Sequence, residues 1–394
     1  MANNLTFNDL STLLVSINEQ ATGQRPITPV TTGDFIAVAQ ATLKTGYDTV
    51  INSISQVLSR TIFSVRPYSR KFSGLYMDAQ RWGNHTRKLQ VIDKNPEQDV
   101  RYNLPADGES VDQQVLNKPE VLQTNYYGAE VYQRSVTMFK DQLDCAFSTP
   151  EEFGAFISMV MQNVSDLIEK DHENCARMTV ANLIGGLAHY NVNTDYKNGV
   201  VHLVSEYNDI TGLQLDSDTV KQPDNFVPFM KWAFARIKSV SDLLTERTTA
   251  YHFNITDKPI ARHTPKDRQK CYMYAGDINN MEASVLSSVF NASYLENVDF
   301  ETVNYWQSID TPTGVQVNPA ILNADGSVSK AGETVVANVL GVIFDEDAAG
   351  ITTVNTWTAS APFNARGGYT NTFWHFTDRY FNDFTENAVL FLMD

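Results

Sequence analysis

The apolar positions change period several times along the chain, and each change predicts an element. Leu10, Leu13, Leu14 and Ile17 share one helical face, with Thr6 and Asp9 as a weak capping box before them and Gly23 as a stop. Pro26 and Pro29 make residues 24–33 an extended linker, and two more helical stretches follow over roughly 34–45 and 48–60, punctuated by Gly46. Short helices on a proline-containing tether predict an arm rather than a compact domain. Strand-like runs follow at Arg87 to Ile92 and at Tyr126 to Phe139. Between them, residues 93–124 hold Pro96, Pro105, Pro119 and an Asp107-Gly108 turn, with no apolar face. A polar excursion of that length predicts either a β-ribbon reaching another subunit or a surface loop.

The strongest local signal is a long helix. Thr149 can cap it, Pro150 stands where its missing N–H costs nothing, and Glu152 completes a capping box. Phe153, Phe156, Ile157, Val160, Met161, Val164, Leu167, Ile168, Cys175 and Met178 then recur at three- and four-residue steps, up to a stop at Gly185-Gly186. A helix over 150–184 is about 50 Å long at ~1.5 Å per residue. Asp171 and His172 interrupt its stripe and no heptads flank it, which argues against a coiled coil.

Beyond residue 200 the pattern alternates. Helices are predicted from Pro228 to Thr245, with Phe229, Trp232, Ala233, Val240, Leu243 and Leu244 inward, and from Asn280 to Phe290. Strands are predicted at Cys271 to Tyr274, Val339 to Phe344, Ile351 to Trp357 and Asn387 to Met393, with a hairpin turn at Asn323-Ala324-Asp325-Gly326. The fold class is α+β with mainly antiparallel pairing.

Composition narrows the function. The chain has 394 residues, enough for two or three packing units, and its 42% apolar content excludes disorder. A net charge of −16 makes it a poor general nucleic-acid binder. Cys145, Cys175 and Cys271 are too few and too scattered for a disulfide framework or a zinc site, as expected of a protein made in a reducing cytosol. No signal peptide or membrane-spanning run is visible, so a soluble protein that is not exported by a standard route is expected. Charge is uneven: Arg60, Arg66, Arg70, Lys71, Arg81, Arg87 and Lys88 face only Asp78, whereas the insert carries Asp93, Glu97, Asp99, Asp107, Glu109, Asp112 and Glu120 against Lys94, Arg101 and Lys118. A solvated face is the default for such a run, but a positive base beside a negative insert also suits copies that dock head to tail. Contact with packaged nucleic acid is a third reading.

Catalytic signatures are missing: there is no phosphate loop, GxGxxG, HExxH, GxSxG or CxxC. Asp345-Glu346-Asp347-Ala348-Ala349-Gly350 starts like a calcium loop, but Ala349 and Thr356 supply no ligand where one is needed, leaving a solvated acidic turn. His172 and Cys175 lie one turn apart without further ligands. Asp171-His172-Glu173 has the groups for acid–base work but is expected to be a solvated helix segment. Tyr369, Phe373, Trp374, His375, Phe376, Tyr380, Phe381 and Phe384 could stack on bases, but without a basic rim core packing is expected. No catalytic residue, cofactor or metal is assigned.

The order of parts then resembles a known family. KLQVIDKN leading into the polar insert, the helix EEFGAFISMVMQNVSDLIEKDHENCAR, and GVIFDEDAAG followed by FNARGGYTNTFWHFTDRYFNDFTENAVLFLMD are similar to major capsid proteins of tailed bacteriophages, most of all small short-tailed phages. The herpesvirus shell protein shares that fold. The resemblance implies an amino-terminal arm at residues 1–59, an extended β-ribbon loop at 85–130 lying over a neighbour, and a peripheral domain at 60–84 and 131–199 around a spine helix at 150–184. It further implies an axial domain at 200–375 and a return to the peripheral domain at 376–394. The implied function is self-assembly into an icosahedral head shell enclosing the genome, within the virion and after assembly in the host cytoplasm. Implied partners are further copies in hexamers and pentamers, a separate scaffolding protein, a portal protein and weakly contacted double-stranded DNA, with no membrane. Some relatives cross-link Lys to Asn between subunits; Lys94 and Lys118 lie in the insert, but no Asn partner stands out. Arg66, Arg70, Arg87, Asp93, Glu97, Asp99, Asp107 and Glu109 are the expected inter-subunit contacts. The rival readings are an enzyme with a carboxylate-based site, and a tail or portal component.

Overall fold

A computed structural model describes residues 7–46, 49–51, 53–54, 72–77, 86–92, 99, 114, 116, 118–194, 196–256, 258–286 and 300–394. The chain divides into two units: residues 1–82, 129–176 and 351–379 form the first, and residues 83–128, 177–350 and 380–394 the second.

In the first unit, helices α1 (Phe7–Thr22) and α2 (Thr32–Leu43) lie beside α3 (Lys140–Ala146) and the start of α4 (Pro150–Asn193). Gly23 ends α1 at a φ of +73°, and Thr31 and Asp34 form a capping box that starts α2 slightly before the predicted residue 34. The Thr6 cap lies outside the described residues. These helices pack within the first unit. Leu10, Leu14, Ile17, Phe35, Ala39, Val50, Ile51 and Ile54 share a buried cluster with Met138, Leu143, Phe147, Phe153, Phe156 and Val160. Each short helix buries its stripe against elements distant in sequence, which local periodicity does not reveal. The Asn18 amide also donates to Thr42 Oγ1 at 2.7 Å, tying α1 to α2.

Strands β3 (Ala129–Phe139), β12 (Ala349–Ser360) and β13 (Tyr369–Asn382) form a sheet in the order β12–β13–β3. The predicted strand from Tyr126 to Phe139 is two strands: β2 (Val121–Tyr126) pairs elsewhere, and the chain breaks at Tyr127-Gly128. The inner face of the sheet places Trp374 against Val164 of α4, with Val136 and Ile168 around them.

Helix α4 runs on to Asn193, past the predicted stop at Gly185-Gly186. The side chains of Ile157 and Met161 lie outside the described residues. Phe153, Phe156, Val160, Val164 and Cys175 are buried as expected, whereas Met178 is 46% exposed. Within the second unit the two glycines are sites of close packing: a Cβ on Gly186 would stand 2.1 Å from Phe384 Cζ, and one on Gly185 2.3 Å from Val317 Cγ2. Glycine serves here because only a hydrogen fits.

The second unit is built on a five-stranded sheet in the order β4 (Val200–His202), β14 (Ala388–Leu392), β11 (Val339–Asp345), β5 (Gln269–Tyr274) and β6 (Glu301–Val303). β11 is antiparallel to β14 and β5, while β4–β14 and β5–β6 are parallel. β11 and β14 are buried along their whole length, which explains why they read as unbroken apolar runs. Helices α5 (Leu203–Thr211), α6 (Pro223–Leu243) and α7 (Ala275–Leu286) accompany this sheet, and Phe226, Phe229, Met230, Ala233, Ile237 and Val240 join Cys271, Ile343, Val389 and Phe391 in its core. α6 starts at Pro223 instead of Pro228, and Leu243, predicted inward, is 41% exposed. The predicted turn at 323–326 links β8 (Ala320–Leu322) to β9 (Val328–Lys330), with Gly326 at a φ of +84°.

Candidate functional site

β1 (Thr86–Val91) and β2 (Val121–Tyr126) form a separate two-stranded antiparallel ribbon, in register from Thr86 opposite Tyr126 to Val91 opposite Val121. The Ile92 N–H donates to the Glu120 carbonyl at 3.0 Å, so pairing persists one step into the polar insert. Side chains alternate across a ribbon. Arg87, Leu89 and Val91 occupy the open face, where Leu89, Val91 and Val121 are 57%, 61% and 56% exposed. Lys88, Gln90 and Ile92 turn the other way and are covered.

Lys88 is the root of the ribbon. Its ammonium donates to Asp383 Oδ2 at 2.7 Å and to Glu386 Oε1. Arg262 Nη1 lies 2.9 Å from Glu386 Oε1, and Arg262 Nε donates to the Thr385 carbonyl at 2.6 Å. Two cations therefore face two carboxylates in a largely buried cluster, and Tyr126 of β2 adjoins it. Burial opposes charge on Lys88, but Asp383 and Glu386 outweigh burial and raise its pKa above the ordinary lysine value. Burial likewise opposes charge on Asp383, yet the charge of Lys88 and hydrogen bonds from Lys88 and Thr385 hold its carboxyl below the usual range. For Glu386 burial wins over Lys88 and Arg262, and its pKa is raised. Burial and the nearby Asp383 push the Tyr126 phenol far up.

Of the eight expected contact residues, Arg87 and Asp99 are described, and both are exposed. Arg66, Arg70, Asp93, Glu97, Asp107 and Glu109 lie outside the described residues. Lys88, counted in the basic run as surface charge, is instead an internal anchor. The clue in the sequence was its place on one strand face with Gln90 and Ile92.

Other candidate chemistry is absorbed by structure. Asp171, His172 and Glu173, expected to be solvated, are buried in the first unit. Arg134 grips Asp171 through Nε and Nη2 at 2.7 and 2.5 Å, while His172 Nδ1 meets Asp378 Oδ2 at 2.6 Å and Thr353 donates to Asp378 at 2.9 Å. The polar interruption of the α4 stripe is therefore a paired interior network. The acidic turn at 345–347, also expected to be solvated, surrounds Arg268, which lies 3.5, 2.9 and 2.5 Å from Asp345, Glu346 and Asp347; Asp345 is buried. No cluster of metal-ligating side chains occurs among the described residues. Among the late aromatics, Trp374, Phe376 and Phe384 are buried, whereas His375 stacks at 3.9 Å on the half-exposed Trp357. A cleft of about 900 Å³ in the second unit is lined by groups including His189, Asn193, Tyr196, Lys197 and His252. Both ring nitrogens of His252 face oxygens, Asn387 Oδ1 at 3.0 Å and the Ile260 carbonyl at 2.7 Å, and burial lowers its pKa.

What remains is a ribbon with an open apolar face on an α+β body. The model of the Phi29-like phage major capsid protein family matches residues 14–392. The chain belongs to that family. Its role is structural, as a protein of the phage head shell that assembles from many copies, and its place is the virion. Solved chains share the fold at low sequence identity. One, from the capsid structure of Staphylococcus phage Andhra, is 10% identical over 84% of this chain and 86% of its own, with a TM-score of 0.50. Another, from the native bacteriophage P68 structure of its head fiber and inner core protein gp22, is 10% identical over 83% and 85%, with a TM-score of 0.53. No curated protein sequence matches the chain. No described helix of this capsid protein is long and apolar enough to cross a membrane.

Proposed function

We propose that the capsid protein closes, as hexamers and pentamers, into an icosahedral shell around double-stranded DNA. A separate scaffolding protein guides the shell, a portal protein occupies one vertex, and assembly takes place in the host cytoplasm. The observation that carries this reading is the ribbon: its exposed Leu89, Val91 and Val121 are surface a lone soluble subunit gains nothing by showing to water. Residues 85–130 would lie over a neighbouring copy, with 1–59 as the arm, 60–84 and 131–199 as the peripheral domain, 200–375 as the axial domain and 376–394 as the return. Arg66, Arg70 and Arg87 would meet a neighbour's Asp93, Glu97, Asp99, Asp107 and Glu109. Each exposed pair is worth only about 0.2–1 kcal/mol, but the contact repeats around every ring. A net charge of −16 per copy keeps the wall from adhering to the genome. Expression with the scaffold, followed by electron microscopy, should give closed shells of uniform diameter. A monomer that stays monomeric at high concentration with scaffold present would refute the reading.

A further inference from the structure

The ribbon root depends on the last residues of the chain. Asp383 and Glu386 stand in the short segment entering β14, the strand held between β4 and β11. That segment is fixed from several sides within the second unit. The Asp383 N–H donates to the Ala348 carbonyl at 2.7 Å, the Phe253 N–H to the Phe384 carbonyl at 2.8 Å, and the Ala388 N–H to the Tyr251 carbonyl at 3.1 Å. Thr385 donates from N–H and Oγ1 to Asp383 Oδ1 at 2.9 and 2.7 Å, which aims the other carboxylate oxygen at Lys88. The covered face of the ribbon is mixed: β1 offers Lys88, Gln90 and the adjoining Ile92, and β2 offers half-buried Leu122, Thr124 and Tyr126, whose ring lies 5.2 Å from that of Phe381. An ammonium leaves water only where carboxylates receive it. Until β14 is in the sheet, no ordered pair of acids exists to receive Lys88.

We propose that the Lys88–Asp383–Glu386–Arg262 cluster is a conditional latch, which fixes the ribbon to its subunit only after β14 has entered the five-stranded sheet. The ribbon is thereby presented in one orientation by completely folded chains alone. Incomplete chains and late folding intermediates carry a loose ribbon, which is a poor template for contact with another copy.

Hydrogen exchange on the unassembled full-length subunit tests this, and its readout stands whether or not shells form. In the variant Lys88→Met/Glu386→Gln, which removes one charge of each sign, amides of residues 87–91 and 121–126 should exchange at least about tenfold faster, while those of 339–345 and 388–392 keep their protection. Lys88→Arg should retain most of the ribbon protection. Val389→Ala, which opens a cavity in β14 without touching a charge, should speed exchange in β14 and in the ribbon together. The latch is refuted if the double variant leaves the ribbon as protected as in the wild type. It is equally refuted if that variant loosens ribbon and sheet to the same degree, or if Val389→Ala loosens β14 while the ribbon stays protected.

Discussion

Substituting Ala for Gly186 sets two effects of known sign against each other. Gly186 lies inside α4, where alanine is favoured over glycine by about 1 kcal/mol through backbone entropy. Local propensity alone therefore predicts a more stable protein. The added methyl would meet the Phe384 ring at 2.1 Å from Cζ and 2.3 Å from Cε1, far inside ordinary contact. The ring has little room to retreat. It is buried and packs edge-on against Tyr190 at 5.2 Å. Tyr190 in turn stacks on Phe253 at 4.5 Å, and its hydroxyl donates to the Leu322 carbonyl and accepts from the Leu322 N–H, both at 2.7 Å. Forcing a methyl into such a site costs about 1–3 kcal/mol, and against the rigid ring we take the upper end. The net effect is then a loss of about 1–2 kcal/mol, lowering the thermal midpoint of a chain this size by roughly 2 °C. Calorimetry on the unassembled subunit measures it, since assembly would shift the midpoint by mass action. Gly154→Ala is the control: its nearest neighbours are flexible Leu10 methyls at 3.1 and 3.2 Å, so propensity and crowding should nearly cancel. A Gly186→Ala protein as stable as the wild type, or more so, would show that the ring moves freely and that the close approach is not what requires glycine.

Val164→Asp should abolish folding of the first unit, because Val164 is fully buried against Trp374 and an unpaired carboxylate there costs several kcal/mol, on the order of the total stability; a soluble variant with native circular dichroism would contradict this. Replacing residues 94–119 by a short turn should leave the subunit folded by calorimetry and remove assembly by light scattering, since the insert carries little apolar surface; a molten subunit would place the insert in the core. Reversing Arg66, Arg70 and Arg87 to Glu should weaken empty-shell formation, partly mimicked in wild type by high salt; normal empty shells with impaired packaging would assign the patch to the genome. Ribbon protection should fall at both pH extremes. The depressed Asp383 carboxyl contributes stability above its unfolded value of 3.8 that is lost as pH falls through the folded value, whereas the raised Lys88 contributes stability below 10.5 that is lost as pH rises through its folded value. Glu386, whose pKa is raised, has the opposite sign to Asp383 and softens the acid limb. Hydrogen exchange across pH, corrected for intrinsic rates, would refute this if Lys88→Met kept the alkaline limb.

Residues within a turn or two of one another determined much of this protein. The Leu10–Leu14–Ile17 stripe, the start of α4 at Thr149-Pro150, the turn at Gly326 and the apolar runs of β11 and β14 were legible because their causes are local: side-chain period, capping groups and a permitted φ. The tertiary structure alone decided whether a polar residue met water or a partner. Asp171-His172-Glu173 looks solvated until Arg134 and Asp378 are brought to it. Lys88 looks like one more surface cation until Asp383, 295 positions away, receives it. Gly185-Gly186 reads as a helix stop because a sequence window shows glycine's flexibility and hides Val317 and Phe384, whose closeness makes the absence of a side chain the useful property. What the amino-terminal helices pack against was not legible, because each is too short to hold itself and the surfaces that cover them lie about a hundred residues further along. Periodicity records which face of an element avoids water. Only the folded chain supplies the charges, rings and methyls that decide what that face meets.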